Sequence, residues 1–560
     1  MRRPTLRMAG LLVVVALAAC ARIPTSGAVE EGNGDVPNQD PVVVLAAGPQ
    51  QDSQPEQIVD DFMLAGAAGV SAGLHFEVAR QYLWGGKAAD WNPLGGVLVV
   101  SDTKVERPSD TQVTVKASVV GKVDADGRYT EASSPALETV TFDMVQDTKQ
   151  QWRIADAPDG LILPLRQFQA QFRQVSLYFL TPDASMLVPD PRWYPAVNLP
   201  TSVVKGLIAG PSPWLRDAVR TAVPQGVTLS PESVPVDSVG AVEVDLGPAP
   251  VVQASDRDLL VAQVEATLRQ LPQVRSVVVR AGKDGPVVTG DKALTTAGAT
   301  YYTGGPEMIA TDDKNGEQLV TLTDGRLAPV AGVGALTKLD VQALARNTDG
   351  SVRAMLSGNG VLTLAPTASA PPATLLNTGP AAPSVDRFGW IWTASGGALS
   401  AVDTKGTTVP VVAPWLADRQ VKALRVSWDG TRVAIVSSGQ DGVTVDVAGV
   451  ARDDNGGPQQ LSDPERVGGA LTAADAVVWI DDNLLAVLGI DGASASVWEV
   501  PVGGLSKQLP DVAGAVSLAG GHLERSLLVA TQDGELWRYS GPTWAPVPGV
   551  SGVRAPSYPG

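Results

Sequence analysis

The C-terminal half of the chain repeats a pattern at a nearly constant interval. Six segments that each read as strand, turn and strand begin at Met308, Val352, Trp390, Val433, Leu485 and Leu528. Their spacings are 44, 38, 43, 52 and 43 residues, and a period of about 40–45 residues is typical of one four-stranded blade of a β-propeller. A single blade cannot bury both of its faces, so blades stack around a common axis. We therefore predict an all-β propeller of five or six blades over residues 290–560; a row of β-sandwiches is the alternative.

Turn residues and trailing strands support this repeat. Asp-Gly pairs, which supply the positive φ that tight turns require, occur at 324–325, 349–350, 429–430 and 533–534. Apolar segments that predict a further strand follow four of the repeats: "LAPVAGV", "TVPVVAP", "KQLPDVA" and "WAPVPGV". Each repeat unit therefore has room for the four strands of a blade.

The first twenty residues carry the pattern of an export signal. Three arginines, Arg2, Arg3 and Arg7, precede the apolar run from 11 to 17, and small residues lead to Cys20 in "LAAC". The run is too short to cross a membrane, because a spanning helix needs about 20 apolar residues. The pattern predicts a signal peptide at residues 1–19 rather than a membrane-spanning anchor.

Cys20 is the only cysteine among the 560 residues. The "LAAC" motif resembles the lipobox of bacterial lipoproteins. This resemblance implies that Cys20 carries diacylglycerol on its sulfur and a palmitoyl group on its nitrogen, and that the mature protein lies on the extracytoplasmic face of the cell membrane, held by its lipid anchor. The alternative is an ordinary secretory signal with an incidental cysteine. The paired arginines leave both the Sec and the twin-arginine export routes open.

Composition excludes several classes of function. Residues 20–40 are rich in Pro, Gly and acidic residues and predict a flexible tether behind the cysteine. The net charge is −17, and it becomes −20 without the three arginines of residues 1–19. An acidic surface repels phosphate backbones, so we predict no nucleic-acid partner. One Cys and two His residues cannot assemble a Cys/His zinc site, and we predict neither a metal nor a cofactor.

Residues 41–165 predict a domain in which helices come first and a sheet follows. "SQPEQIVDDFMLAGAAG" places Ser53 and Glu56 at the spacing of a capping box ahead of an apolar helical face. "TQVTVKASVVGKV" alternates with a period of two, which puts Val113 and Val115 on one side of a strand. Helices followed by a curved antiparallel sheet are similar in order to nuclear-transport-factor-2-like (NTF2-like) domains, which have an α+β fold.

Residues 170–285 predict a second domain, of α/β type. The helix in "SDRDLLVAQVEATLRQL" is capped by Ser255 and Asp258, and Leu260, Val264 and Leu268 face inward. The pieces "YFL", "LIAGP", "TAVPQG", "VEVDL" and "VEATLRQLPQVRSVVV" follow one another in the order seen in GerMN domains, to which this region is similar. The alternative is a generic mixed α/β domain.

The chain offers few residues for chemistry, and we predict no catalytic residue. His75 and His522 lie in segments where a structural role is expected. The acidic pairs 60–61, 312–313, 453–454 and 481–482 are adjacent in sequence and make poor catalytic dyads, since strand neighbours point to opposite faces. We interpret them as solvated turns, and "DDKNGE" and "DDNGG" as incomplete calcium loops.

Tryptophan is concentrated in the repeat region. Seven of these residues lie at 390, 392, 428, 479, 498, 537 and 544. We favour packing between blades for most of them, because repeats need large side chains at equivalent positions. A platform that binds sugar or peptide is the alternative, and it requires some of them to be exposed.

The order of lipobox, tether, helix–sheet domain, GerMN-like domain and propeller resembles the LpqB family, lipoproteins of actinobacteria. The resemblance implies a multidomain, non-enzymatic accessory of the MtrA–MtrB two-component system, which contacts the extracellular domain of a sensor histidine kinase and affects envelope homeostasis and cell division. No motif assigns the partner contact to particular residues, so only Cys20 is carried over from the family. The alternative is a cell-wall glycan or peptidoglycan binding protein, or a hydrolase that uses carboxylates of the propeller.

Overall fold

The computed structural model describes residues 46–133, 136–300, 304–312, 316–336, 338–358, 360–491 and 494–560. The predicted signal peptide, Cys20 and the tether lie outside the described residues. All described residues belong to one compact unit, 43–560. Among the described helices, none combines the length and the apolar character that a membrane span requires.

The N-terminal module joins helices to one curved sheet. Its helices are α1 (Pro55–Ser71), α2 (Glu77–Arg80), α3 (Lys87–Asp90) and α4 (Leu165–Gln171). Its strands are β1 (Gly96–Ser109), β2 (Gln112–Asp124), β3 (Tyr129–Glu131), β4 (Leu137–Gln146), β5 (Trp152–Asp156) and β6 (Leu161–Pro164). The strand order is β5-β4-β2-β1-β6, with β3 paired to β2. Among the strands named here, β1 and β6 are the pair that runs parallel, and an isolated parallel bridge joins Leu83 to Ile154.

The predicted alternation along β2 builds the core of this module. Val113 and Val115 are fully buried, and they pack in one cluster with Ile58 and Phe62 of α1. The period of two in β2 and the apolar face of α1 therefore meet as the sequence predicts.

The start of α1 differs from the prediction. The helix begins at Pro55 with Gln54 as its N-cap, and no side chain caps it. Ser53 and Glu56 therefore do not form a capping box. Proline explains the shift, because its fixed φ suits the first helical position and the N–H that it lacks would have no intrahelical partner there.

The middle module contains two sheets and three helices in its described residues. Its elements are β7 (Phe172–Leu180), β8 (Leu187–Pro195), α5 (Leu199–Ala209), β9 (Thr228–Leu229), β10 (Ala241–Gly247), α6 (Ala249–Gln253), α7 (Arg257–Arg269), β11 (Ser276–Ala281) and β12 (Val287–Val288). Strands β7 and β8 form an antiparallel hairpin. The other sheet has the order β12-β11-β10-β9, and its central strands β10 and β11 are parallel.

Helix α7 has the predicted buried face but a different cap. The residues of this face that are at most 1% exposed are Leu260, Val264 and Leu268. The N-cap is Asp256, whose carboxylate accepts a hydrogen bond from the N–H of Leu259 at 3.2 Å. The sequence predicted Ser255 and Asp258 instead. Ser and Asp cap helices about equally well, so a one-residue shift between them cannot be ranked from sequence.

The C-terminal module is built from consecutive antiparallel sheets. The strands are β13 (Glu307–Asp312), β14 (Gly316–Thr323), β15 (Arg326–Pro329); β16 (Val341–Arg346), β17 (Arg353–Ser357), β18 (Val361–Leu364), β19 (Thr374–Asn377); β20 (Ser384–Val385), β21 (Ile391–Ser395), β22 (Ala398–Val402), β23 (Thr408–Val411); β24 (Gln420–Val426), β25 (Arg432–Gly439), β26 (Gly442–Arg452), β27 (Pro458–Leu461), β28 (Glu465–Val467); β29 (Ala476–Asp481), β30 (Leu484–Asp491), β31 (Ser494–Pro501), β32 (Lys507–Gln508); β33 (Ala515–Ala519), β34 (Leu528–Thr531), β35 (Leu536–Tyr539), β36 (Trp544–Pro546); and β37 (Val553–Ser557). The six repeats found in the sequence supply the second and third strands of these sheets, and the trailing apolar segments supply outer strands.

Strand β37 closes this module. It pairs antiparallel with β13, so that residues 553–557 form the inner strand of the first sheet. The inner strands β37, β16, β20, β24, β29 and β33 contact one another in a closed cycle. This is the arrangement of a propeller, in which radial repetition of the blades leaves only short, protected edges. The repeat period predicted the blades but not the pairing of the first with residues more than two hundred positions away.

Candidate binding groove

The N-terminal module contains a groove of about 750 Å³ on the inner side of its sheet. Helix α1 and the turn after α3 form one wall, and the ends of β1, β2 and β4 form the other. The apolar side chains that line it include Phe62, Met63, Trp91, Val123, Phe142 and Leu161. A groove of this volume with an apolar floor is suited to binding an extended chain or a small ligand.

Charged side chains at the rim of the groove are already paired with each other. Lys122 forms an ion pair with Glu138, and Nζ of Lys87 lies 3.1 Å from a carboxylate oxygen of Asp156. The described residues that line the groove include no histidine, cysteine or serine. Its charged lining residues are Glu138, Asp156, Asp159, Lys87 and Lys122, so the groove combines apolar contact with a charged rim.

A junction holds the groove-bearing module to the other two. The N–H of Trp193 donates to the carbonyl of Gly127 at 2.7 Å, and the indole N–H of Trp193 donates to the carbonyl of Gly503 at 2.8 Å. The hydroxyl of Ser506 donates to the carboxylate of Glu131 at 2.6 Å. Gly127 has φ +84°, and a Cβ there would lie 2.7 Å from the carbonyl oxygen of Trp193. The hairpin turn of the N-terminal module can thus approach the middle module closely only with glycine.

Glu465 of β28 lies at the same junction. It faces Arg128, Asp124 and Thr130 of the N-terminal module and Asp190 of the middle module. Burial raises the pKa of Glu465 to about 7, and the negative charges of Asp124 and Asp190 act in the same direction, whereas Arg128 lowers it. The carboxyl group is therefore held near its protonated form by the packing of three modules.

Replacing Glu465 with Gln is expected to flatten the pH dependence of stability. A carboxyl group whose pKa rises on folding binds more protons in the folded state, so stability falls as the pH rises from about 4.5 to about 7. The loss across this window is about 3 kcal/mol. Urea unfolding at several pH values measures it, with the exposed Glu535→Gln as the control. Equal slopes for Glu465→Gln and the unsubstituted protein would contradict the prediction.

Family models match three consecutive parts of the chain. They are described as the N-terminal domain of lipoprotein LpqB at residues 48–169, sporulation and spore germination at 176–283, and the beta-propeller domain of lipoprotein LpqB at 317–559. Proteins named lipoprotein LpqB from Thermobifida fusca and Streptomyces coelicolor are 27% and 29% identical over 98% of this chain and over 97% and 96% of their own lengths. The chain belongs to the LpqB lipoprotein family. The matches confirm the predicted propeller and GerMN-type modules.

Two further comparisons cover smaller parts of the chain. A lipoprotein LpqB from Cutibacterium acnes is 31% identical over 63% of this chain and 60% of its own length. Among solved structures, TolB from Acinetobacter baumannii aligns with a TM-score of 0.34 and 14% identity, over 46% of this chain and 66% of that one. At this TM-score we base no conclusion on the likeness. The relatives are named as lipoproteins and not as enzymes.

The seven tryptophans of the propeller in this LpqB-family chain are buried or half-buried. Trp392, Trp479 and Trp544 are 0%, 3% and 7% exposed. The other four, at 390, 428, 498 and 537, are half-buried. Neither group forms an exposed platform, so the structure does not favour a sugar-binding face on the propeller.

Each histidine lies beside a carboxylate, and one acidic pair differs from the prediction. His75 is exposed beside Glu77, and His522 lies 3.5 Å from Asp481. Asp482 is not in a solvated turn, because its half-buried carboxylate accepts a hydrogen bond from the N–H of Gly298 at 2.8 Å. This bond ties the segment ahead of the propeller to the β29–β30 loop.

The pair 453–454 lies in a hydrogen-bonded turn. The carboxylate of Asp453 accepts hydrogen bonds from the N–H groups of Asn455 and Gly457, as expected for a turn. Within the described ranges, no group of three or more His, Cys, Asp or Glu residues is placed to hold a metal ion. Asp313 lies outside the described residues.

The sequence analysis did not identify the groove. Its walls come from segments that are far apart in sequence, such as Phe62, Trp91 and Leu161. One signal could have indicated it: the strand pattern "ETVTFDMV" is longer than the pattern "WRIAD" that pairs with it. A short strand beside a long one leaves part of the longer strand without a hydrogen-bonded neighbour.

Proposed function

We propose that this LpqB-family chain is a membrane-anchored, non-enzymatic accessory protein that binds the extracytoplasmic domain of an MtrB-type sensor histidine kinase. The observation that carries the proposal is an open groove of about 750 Å³ lined by apolar side chains and a charged rim, on a module hydrogen-bonded to a propeller. Such a body can present a fixed surface to a partner. Its effect on the kinase would then reach envelope homeostasis and cell division.

We further infer the finer identity of two modules. The N-terminal module has the NTF2-like fold, which the order of helices and curved sheet supports. The propeller has six blades, which the cycle of inner strands in the described residues supports. In both cases the supporting observation is the strand order and not the sequence pattern alone.

In the proposed function, Cys20 is the residue that attaches the protein to the membrane. Lipidation at its sulfur and nitrogen would confine the protein to the outer face of the membrane. The predicted tether of residues 20–40 has a mean span of about 25 Å, taking roughly 5.5 Å times the square root of its length. Confinement at this distance raises the effective concentration of the protein near a membrane-spanning kinase.

Replacing Cys20 with Ala is expected to move the protein from the membrane fraction to the soluble fraction almost completely. The reason is that no acyl chain can then be attached. Cell fractionation followed by immunoblotting measures the change, and Ala19→Gly, which keeps a small residue before the cysteine, is the control. A Cys20→Ala protein that remains with the membrane would refute the lipid anchor.

A binding experiment tests the partner. The mature chain with Cys20 replaced by Ser is immobilised and exposed in parallel to the purified kinase ectodomain and to peptidoglycan fragments. Saturable retention of the ectodomain supports the proposed function. Retention of peptidoglycan alone would show that the protein binds the cell wall and would overturn it.

A further inference from the structure

Strand β4 extends well beyond its outer neighbour. It has ten residues, whereas β5 has five and pairs only with residues 143–146 of β4. On that side, residues 137–142 have no neighbouring strand among the described residues. This leaves an open sheet edge about 20 Å long, at roughly 3.4 Å per residue.

Backbone hydrogen bonds show which groups face this edge. The N–H of Met144 donates to the carbonyl of Thr111, and the N–H of Val119 donates to the carbonyl of Ala136, both at 2.8 Å. Even-numbered residues of β4 therefore face β2. Since backbone groups alternate sides along an antiparallel strand, odd-numbered residues face outward. The N–H and C=O groups at the open edge belong to Leu137, Thr139 and Thr141.

The binding groove lies directly along this edge. Thr139 and Thr141 line it on the β4 side, and Met63 and residues 156–159 line it on the other side. Strand β5 ends at Asp156, which pairs with Asp143 of β4, so the groove occupies the space into which a longer β5 would extend. A strand placed there would point alternate side chains at the apolar floor.

The edge has little of the protection that natural proteins give an exposed strand, because its one charged side chain, Glu138, is paired with Lys122. Residues 137–142 read "LETVTF" and include neither lysine nor proline, the residues that usually discourage strand addition. Leu137 is 78% exposed on the outer face. The segment is thus competent for pairing.

We propose that β4 binds an extended segment of a partner protein as an added strand, with apolar side chains at alternate positions seated in the groove. The inference rests on the binding role proposed above, but not on the identity of the kinase. An edge N–H or C=O that is covered without a hydrogen-bond partner weakens binding. A lipid tail would leave these groups unsatisfied, whereas a peptide strand satisfies them through its own backbone.

Proline at the edge separates this proposal from general apolar binding. Thr139→Pro removes one outward N–H and leaves the pairing with β2 intact, because proline is tolerated at edge positions. Thr139→Val keeps the N–H and the shape of the side chain and is the matched control. Thr141→Pro is the second variant, and thermal unfolding of all three verifies that they fold.

The probe is a display library of random heptapeptides with Gly-Ser flanks, selected on the mature chain with Cys20 replaced by Ser. We expect enriched peptides with apolar residues at every second position. Their Kd should be at least ten-fold weaker for Thr139→Pro than for Thr139→Val, and hydrogen exchange at the amides of Thr139 and Thr141 should slow on binding. Equal affinity for the two variants, or no enrichment, overturns the proposal.

Two further measurements separate a partner peptide from the chain's own N-terminal segment, and the edge site from the proposed kinase partner. Residues 42–45 read "VVVL" and could themselves pair with an edge. If deleting residues 21–45 raises peptide affinity ten-fold or more, the edge belongs to the chain's own segment, and the partner assignment is wrong. If peptides bind as expected but the kinase ectodomain does not, the edge site stands and only the kinase partner fails.

Discussion

Deleting residues 553–560 is expected to destabilise the propeller by about 5 kcal/mol or more. The deletion removes β37, whose partner β13 then has an unpaired edge and whose buried Val553 no longer fills the core. Loss of several backbone hydrogen bonds at ~1 kcal/mol each, together with one buried valine, accounts for this magnitude. Thermal unfolding followed by circular dichroism, combined with limited proteolysis, measures the effect.

A shorter deletion is the matched control. Removal of residues 558–560 leaves β37 complete, so we expect a folded protein with a much smaller loss of stability. If the two deletion variants unfold at the same temperature, closure by β37 contributes nothing measurable to the stability of the propeller. The ring of inner strands would then be held by contacts between blades alone.

Replacing Asp386 with Ala is expected to destabilise the protein by about 3–5 kcal/mol. One oxygen of its fully buried carboxylate accepts hydrogen bonds from Arg452 at 2.7 Å and from the indole N–H of Trp392 at 3.0 Å. The other accepts from the N–H groups of Phe388 and Trp390. The substitution leaves the guanidinium of Arg452 buried without its counter-charge, and burial already lowers the pKa of that group.

Two further substitutions separate the effect of the buried negative charge of Asp386 from the effect of its hydrogen bonds. Asp386→Asn keeps an acceptor oxygen but not the charge, so it should fall between the unsubstituted protein and Asp386→Ala. Glu232 pairs with Lys205 on the surface, where the side chains are 89% and 52% exposed. Glu232→Gln should change stability by less than ~0.5 kcal/mol. Urea midpoints compare all three, and equal losses for the buried and exposed pairs would contradict the argument.

The parts of the fold that were predictable have local patterns. The blade repeats were visible because each carries its own strand, turn and strand within about 15 residues, and the period follows from blade size. The buried face of α7 was visible because helical periodicity depends only on neighbours three and four residues away. In both cases the sequence signal and the structural unit have the same length.

The parts that were missed depend on distant residues or on near-equal alternatives. The pairing of β37 with β13 has no local signature, because any closing strand of similar composition would look the same. The N-cap of α7 was misplaced by one residue because Ser255 and Asp256 cap comparably well, and that of α1 because Pro55 takes the first helical position. The groove arises because β5 ends early, which is a relation between two strands rather than a property of either.

Closure by β37 also determines when the propeller can finish folding. About 240 residues lie between the end of β13 and the start of β37, and a loop of that length closes late, although its entropic cost grows only slowly with length. During that interval β13 offers an open template to any other strand. At high concentration, the β37 of a second molecule can take that place, and exchange of closing strands would then yield intertwined dimers during refolding.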